Sequence, residues 1–211
     1  AHVATKWGVK TVATVDCCRE HESTSVIADR VLNEDLNIPR ERSLTLIEDL
    51  VMSGKLKLDP QRNNFPVTLH DPCNLVRLMG VVEPQRRILR KIAPQFREMP
   101  SHGVKNYCCG GGSGFAIMPS VNWPNWKMNI AGRKKLEQVL TAFADVTEPE
   151  QRRYICAPCS NCKGQLRDLL EHFELWDKSK LWYGGLVELI VNAMVDVEGQ
   201  LLLWPDDEDF M

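Results

Sequence analysis

The sequence predicts an α/β fold with mainly parallel strands, and three observations carry that expectation. Short β-branched or apolar runs recur along the chain, and several lead into a loop that bears cysteine. Between them lie segments whose apolar residues return at i, i+3, i+4 and i+7, the spacing of one helix face. The 211 residues are 44% hydrophobic and 26% charged, the balance of a globular chain that can bury a core without disulfide staples.

Lys10–Asp16 (KTVATVD) reads as a buried strand ending at Cys17 and Cys18. Ser23–Leu36 reads as a helix with Val26, Ile27, Val31 and Leu32 on its apolar stripe. Ser43 is placed as the cap of a helix carrying Leu44, Ile47 and Val51, stopped by Ser53-Gly54. Asp59–Phe65 is turn chemistry and marks an internal boundary. Pro66–His70 is a second strand that enters Asp71-Pro72-Cys73 directly, and Pro84 suits the first turn of a helix running to Pro94. Val104–Tyr107 is a third strand candidate, running into Cys108-Cys109 and the loop Gly110-Gly111-Gly112-Ser113-Gly114. Leu136, Val139, Leu140 and Phe143 make one helix face, and Leu166, Leu169, Leu170 and Phe173 another, with a strand at Arg153–Cys156 between them. A last amphipathic helix holds Leu186, Leu189, Ile190, Ala193, Met194 and Val197, and Asp206–Asp209 reads as a solvated acidic tail.

A net charge of −2 is no footprint for a polyanion, so nucleic acid is not expected as a partner. No apolar run approaches the roughly 18 residues of a membrane span; the longest, Gly185–Val197, is broken by Glu188, Asn192 and Asp196. Ala1–Lys10 lacks the apolar core of a secretory signal, so a cytoplasmic, reducing setting is expected. The chain opens without Met, in what reads as a helix under way, and is expected to be the C-terminal piece of something longer.

In a reducing compartment the eight clustered cysteines point to metal or redox chemistry rather than to bridges. In α/β folds ligands sit at the carboxyl ends of strands, so cysteines distant in sequence are expected to converge on one rim of one sheet. Soft thiolates select zinc, copper(I) or iron–sulfur. Adjacent Cys108-Cys109 is awkward for one tetrahedral ion, whereas a polynuclear cluster can take the two sulfurs on different irons. The amides of the following glycines can then donate to cluster sulfides, since no Cβ blocks the approach.

Cys73, then 34 residues, then Cys108-Cys109-Gly110, then a longer gap to Cys159-x-x-Cys162, resembles the CCG cysteine-rich domain found in the B-type and D-type subunits of heterodisulfide reductases. His70-Asp71-Pro72-Cys73 is similar to the family's HDPC motif, and Gln165-Leu166 after Cys162 to its last motif. Gly54-Lys55-Leu56-Lys57-Leu58-Asp59, Glu83-Pro84-x-Arg86 and Glu98-Met99-Pro100 look closer to one branch. That branch holds the K-type subunit of the sulfite-reductase-associated membrane complex and related cytochrome-complex subunits.

The resemblance implies a noncubane 4Fe-4S cluster held by Cys73, Cys108, Cys109, Cys159 and Cys162, with Gly110 and Gly111 beside it. It implies two pseudo-related halves: residues 1–58 a remnant of the first, 59–200 the cluster-binding CCG half, and 201–211 the acidic tail. Two departures stand out. The gap from Cys109 to Cys159 holds 49 residues and includes Trp123, Pro124 and Trp126, and only Asp16-Cys17-Cys18 remains where the first half carries a C-x-x-C. The implied function is redox chemistry on a disulfide, trisulfide or dithiol, with other subunits of a membrane-associated complex and a small sulfur carrier or thiol substrate as partners. Its expected place is the cytoplasmic face of that complex.

Each sharp reading has a plain one beside it. His70 is a candidate proton donor at the cluster, or a strand-end histidine that is simply hydrogen-bonded. Cys156 reads first as core, with a spare ligand or a substrate-facing thiol as alternatives. Cys17 and Cys18 read as a relic or as a substrate-exchanging pair. Trp123 and Trp126 read as packing before channel guards, and Lys105 and Arg77 as solvated charges before counter-ions. For the whole chain the alternatives are an electron conduit without bond chemistry, or a zinc-stabilised interaction module. The glycine run is expected to leave an uncrowded face beside Cys108 and Cys109.

Overall fold

The computed structural model describes residues 6–14, 40–112, 125–199 and 202–207. The predicted helix over 23–36 and the residues Cys17, Cys18, His21 and Trp123 lie outside them. A two-stranded parallel pair, β1 (Val12–Thr14) and β2 (Arg40–Arg42), leads into α1 (Ser43–Met52). The main sheet has four parallel strands: β3 (Val67–Leu69), β4 (Phe96–Arg97), β5 (Arg153–Cys156) and β6 (Leu181–Gly184). Their order is β4-β3-β5-β6, and with helices on both faces the fold is α/β as the sequence predicts.

Helices α2 (Pro84–Ile92), α3 (Arg133–Ala142), α4 (Ser160–His172), α5 (Leu175–Ser179) and α6 (Leu186–Ala193) complete the chain. Pleating sends alternate side chains to opposite faces. Val67, Leu69, Tyr154 and Cys156 face one core, which α1, α2 and α6 close with Val51, Ile88 and Leu189. Ile155 and Leu181 face the other, closed by Val139 of α3 and Leu166 and Leu170 of α4. Cys156, fully buried, belongs to the first core, in line with its plain reading.

From β3 the chain moves outward to β4 and returns on the other side as β5, so the winding reverses between β3 and β5. In parallel sheets the crevice beyond the carboxyl ends of two such strands is where ligands bind. His70–Cys73 follows β3, and Ala157–Cys162 follows β5. The pairing continues past both strand ends, with the His70 amide donating to Cys156 O at 2.8 Å.

Several local expectations are corrected. Val104–Tyr107 is not a strand: Gly103–Lys105 is a 3₁₀ turn, closed by the Asn106 amide on Gly103 O at 3.0 Å. Val104 is 57% exposed there, and the edge strand is Phe96–Arg97 instead. The turn wins because Asp71 grips the segment: its carboxylate accepts the Gly103 amide at 2.6 Å, and its carbonyl accepts Asn106 Nδ2 at 2.6 Å. Cys108-Cys109 therefore follows a turn rather than a strand end. Arg42, not Ser43, stands at the cap position of α1. The last helix stops at Ala193, so Met194 and Val197 lie beyond it, where the Val195 amide binds Lys57 O at 3.0 Å. β6 escaped prediction, although Leu181-Trp182-Tyr183 before Gly184-Gly185 carries the composition of a strand.

Candidate metal centre

Three loops build the site. The first, after β3, brings His70 and Cys73; Cys73 is half-buried and precedes a π-helical turn, Asn74–Leu78. The second carries Cys108, exposed, and Cys109, buried. The third, after β5, places Cys159 at the N-terminus of α4 and Cys162 within its first turn. Cys109 Sγ and Cys162 Sγ lie 3.4 Å apart, though 53 residues separate them in sequence. One ligand atom from each of His70, Cys109 and Cys162 lies within 4.8 Å of the others, all three residues buried.

The thiols polarise one another. Cys109 is held far below the usual thiol range by hydrogen bonds from the Cys108 and Cys162 thiols, which are pushed up in turn. Cys159 is pulled down to about 6, first by the Cys162 thiol, with burial opposing and the Cys162 and Asn161 amides of the helix N-terminus assisting. Cys73 is near enough to push the Cys108 thiol up further. Burial first, and then the Glu188 carboxylate, push Cys156 well above the usual thiol range and set it apart from this group.

Backbone amides already serve the sulfurs. The Gly110 amide donates to Cys108 Sγ and the Gly111 amide to Cys109 Sγ, each at 3.4 Å. The uncrowded face expected beside these residues is absent at the two glycines. A Cβ on Gly110, whose φ is +84°, would stand 2.8 Å from the Ala131 backbone, and one on Gly111 would stand 2.4 Å from Gln165 Cβ. The glycines serve close packing against Ala131 and α4, and that approach is what delivers their amides to sulfur.

His70 is 1% exposed, and among the described residues neither ring nitrogen makes a hydrogen bond of good geometry, its polar neighbour being the Cys109 thiol. Burial lowers its pKa and keeps the ring neutral. A buried imidazole without a well-formed hydrogen bond, beside converging thiolates with amide support, fits a metal or iron–sulfur group, whose charge such donors are suited to balance.

Beneath the thiols lies a polar network that sequence reasoning resolved only in part. Asp71 and Arg86 pair in bidentate fashion, at 2.8 and 2.5 Å, with both side chains fully shielded. Arg86 Nε also donates to Glu98 at 3.0 Å. Arg86 and Glu98 are the residues of the Glu83-Pro84-x-Arg86 and Glu98-Met99-Pro100 motifs, and their work is to hold the aspartate of HDPC. Arg77 is exposed, in line with its plain reading as a solvated charge, and also donates to Val104 O at 2.9 Å and to Asn106 O, which pins the cysteine loop. Lys135 and Gln138 were missed altogether, masked by the charge run Arg133-Lys134-Lys135. The i, i+4, i+7 relation of Lys135 to Val139 and Ala142 is the signal that places it on the buried face.

Residues 67–167 match the family described as CCG, cysteine-rich domain. The chain is 30% identical over 155 residues to the "Hdr-like menaquinol oxidoreductase iron-sulfur subunit 2" of Archaeoglobus fulgidus, covering 72% of this chain and 26% of that protein. It is 29% identical over 154 residues to a subunit of the dihydromethanophenazine:CoB--CoM heterodisulfide reductase of Methanosarcina acetivorans, covering 72% of this chain and 34% of that one. A third relative is the "Probable membrane-anchored ferredoxin" of Chromohalobacter salexigens, 29% identical over 137 residues, covering 65% and 18%. The chain thus spans about a quarter of the length of the first of these. No solved structure matches it. Among the described residues no helix is long and apolar enough to cross a membrane.

Proposed function

This chain carries a CCG cysteine-rich domain, and from that premise we propose that it is an iron–sulfur redox subunit whose cluster works on a disulfide, trisulfide or dithiol. The observation that carries the reading is the 3.4 Å approach of Cys109 to Cys162, which joins the CCG pair to the terminal C-x-x-C. Cys73, Cys108, Cys109, Cys159 and Cys162 are the ligands of a noncubane 4Fe-4S cluster, with the Gly110 and Gly111 amides donating to ligand sulfur. When bound, the cluster supplies electrons and thiophilic iron.

The chain's own residues supply the rest. Neutral His70 receives the proton of a thiol at its free ring nitrogen when a dithiol is oxidised, and returns one to a leaving thiolate when a disulfide is reduced. A cavity of about 300 Å³, walled by Leu44, Ile47, Leu75, Pro158 and Leu186 with Lys163 and Glu188 in its lining, reaches Cys159 and offers a mainly apolar approach for a sulfur substrate. By relation to members of heterodisulfide-reductase-like complexes, the partners are other subunits of a membrane-associated complex and a thiol or small sulfur-carrier protein, met at the cytoplasmic face.

The burial of Cys109 and Cys162, at 2% and 5% exposure, favours a second reading, an electron conduit without bond chemistry. One experiment separates the possibilities. Anaerobically prepared protein should carry about four irons and four sulfides, and a thiol or persulfide added to its oxidised form should change the paramagnetic resonance spectrum. A full cluster indifferent to every sulfur compound tried leaves the conduit. Stoichiometric zinc without sulfide overturns the cluster and selects the zinc-stabilised module.

A further inference from the structure

Lys135 is fully buried on α3. Its ammonium meets Asn106 Oδ1 and Gln138 Oε1, with Met99 Sδ at 3.8 Å, and all three partners are neutral. Among the described residues no carboxylate stands within ion-pair distance of it. Of the other buried cations, Arg86 is matched by Asp71 and Glu98 and Lys127 by Asp168 at 2.5 Å, while Arg153 is held by the carbonyls of Ser179, Val146 and Glu148. An ammonium taken out of water without a counter-ion is costly, and Lys135, unlike Arg153 with its three carbonyls, has only two side-chain oxygens and a thioether to offset that cost.

Asn106, which holds the ammonium, precedes Cys109 by three residues, and its Nδ2 binds the carbonyl of Asp71 next to His70. Asp71 is itself neutralised by Arg86. Through Asn106, which carries both the Lys135 contact and the bond to the Asp71 carbonyl, the ammonium is tied to the loop of Cys108-Cys109, and thiolate charge there, that of Cys109 foremost, favours its charged form. Burial lowers Lys135 to about 8, so it still carries its proton at neutral pH.

We propose that Lys135 is the built-in counter-charge of the thiolate centre, fixed by Asn106 and Gln138, and that it raises the reduction potential of the group held there. This rests on the cluster reading above. Reduction adds one electron to the bound cluster from an added one-electron reductant such as dithionite, with no bond formed or broken in the protein. The fixed cation stabilises the added negative charge, acting through the thiolates and not on substrate. A unit charge fixed in the interior and shielded from water is worth about a factor of ten or more in an equilibrium constant.

The test is an anaerobic redox titration followed by paramagnetic resonance on the cluster-loaded chain and its variants. Lys135→Met should weaken one-electron reduction at least tenfold, a midpoint lowered by about 59 mV, with iron and sulfide content unchanged. Gln138→Glu, which keeps the lysine and hands it a carboxylate, should move the midpoint the same way by less, and Lys135→Arg should restore it. A Lys135→Met midpoint equal to the parent's on a full cluster overturns the proposal. Should that variant fail to fold, an unmoved midpoint in Gln138→Glu does so. A parent chain that takes up neither iron nor sulfide overturns the cluster reading instead.

Discussion

Replacing Arg86 by Met tests whether the buried ion pair is what shapes the cysteine loop. The side chains of Arg86 and Asp71 are 1% and 0% exposed, and the guanidinium makes two bonds to Asp71 and one at 2.7 Å to Val82 O. Removing it leaves the Asp71 carboxylate with the Gly103 amide and no cation. Breaking a buried pair from one side costs about 3–5 kcal/mol. For a chain of this size that is a fall in melting temperature of roughly 6–20 °C. Urea titration should show a lower midpoint at an unchanged slope. Because Asp71 holds Gly103 and Asn106 ahead of Cys108-Cys109, iron retention should fall as well. Asp71→Asn on top of Arg86→Met should recover most of the loss, since the neutral amide oxygen can still accept from Gly103. A single variant losing less than about 1 kcal/mol would refute the reasoning, far below the cost of an orphaned buried carboxylate. So would a double variant no better than the single.

Three further outcomes are expected. Cys156→Ser should cost about 1–3 kcal/mol by placing a hydroxyl in the core yet keep its iron, whereas Cys162→Ser should lose it; equal iron loss in a metal assay would mean that the ligand pair is wrongly assigned. Gly111→Ala should cost about 1–3 kcal/mol through overpacking against Gln165 Cβ and Asn161 O, the latter 3.2 Å from the added carbon. Gly112→Ala, with nothing within 4 Å among the described residues, should be silent in the same denaturation experiment. For Asp168, burial pushes the carboxyl up, but hydrogen bonds from Lys127 and Arg167 outweigh it and hold it below 3.8. Its contribution is therefore complete above that value and is lost as pH falls through the lower folded value. Asp168→Asn should flatten the acid limb of the stability profile, and an unchanged limb would remove the pair from the account.

Much of the scaffold was legible because its signals are local. Pro84 opens α2, the strand at Arg153–Cys156 falls where its composition places it, and the apolar spacings of α3 and α4 mark their buried faces except at Leu140, which is 43% exposed. Strand-to-cysteine loops at His70–Cys73 and Ala157–Cys162 were readable for the same reason, and with them the expectation of convergence on one rim. The path between those loops was not readable. Val104–Tyr107 has the look of a strand, and its own residues say nothing of Asp71, more than thirty positions earlier, which bends it into a turn.

The sequence by itself determined most of the helices and the strands at Val67–Leu69 and Arg153–Cys156, because these follow from periodicity and composition within short stretches. The tertiary structure alone decided that Cys109 meets Cys162, that Gly110 and Gly111 are packed rather than open, and that Lys135 is buried with no acidic partner among the described residues. Each of those depends on side chains dozens of residues apart whose desolvation has to be balanced in one place. A hydrogen bond or an ion pair is chosen by what lies within about 3 Å in space, and no local pattern along the chain encodes that neighbour.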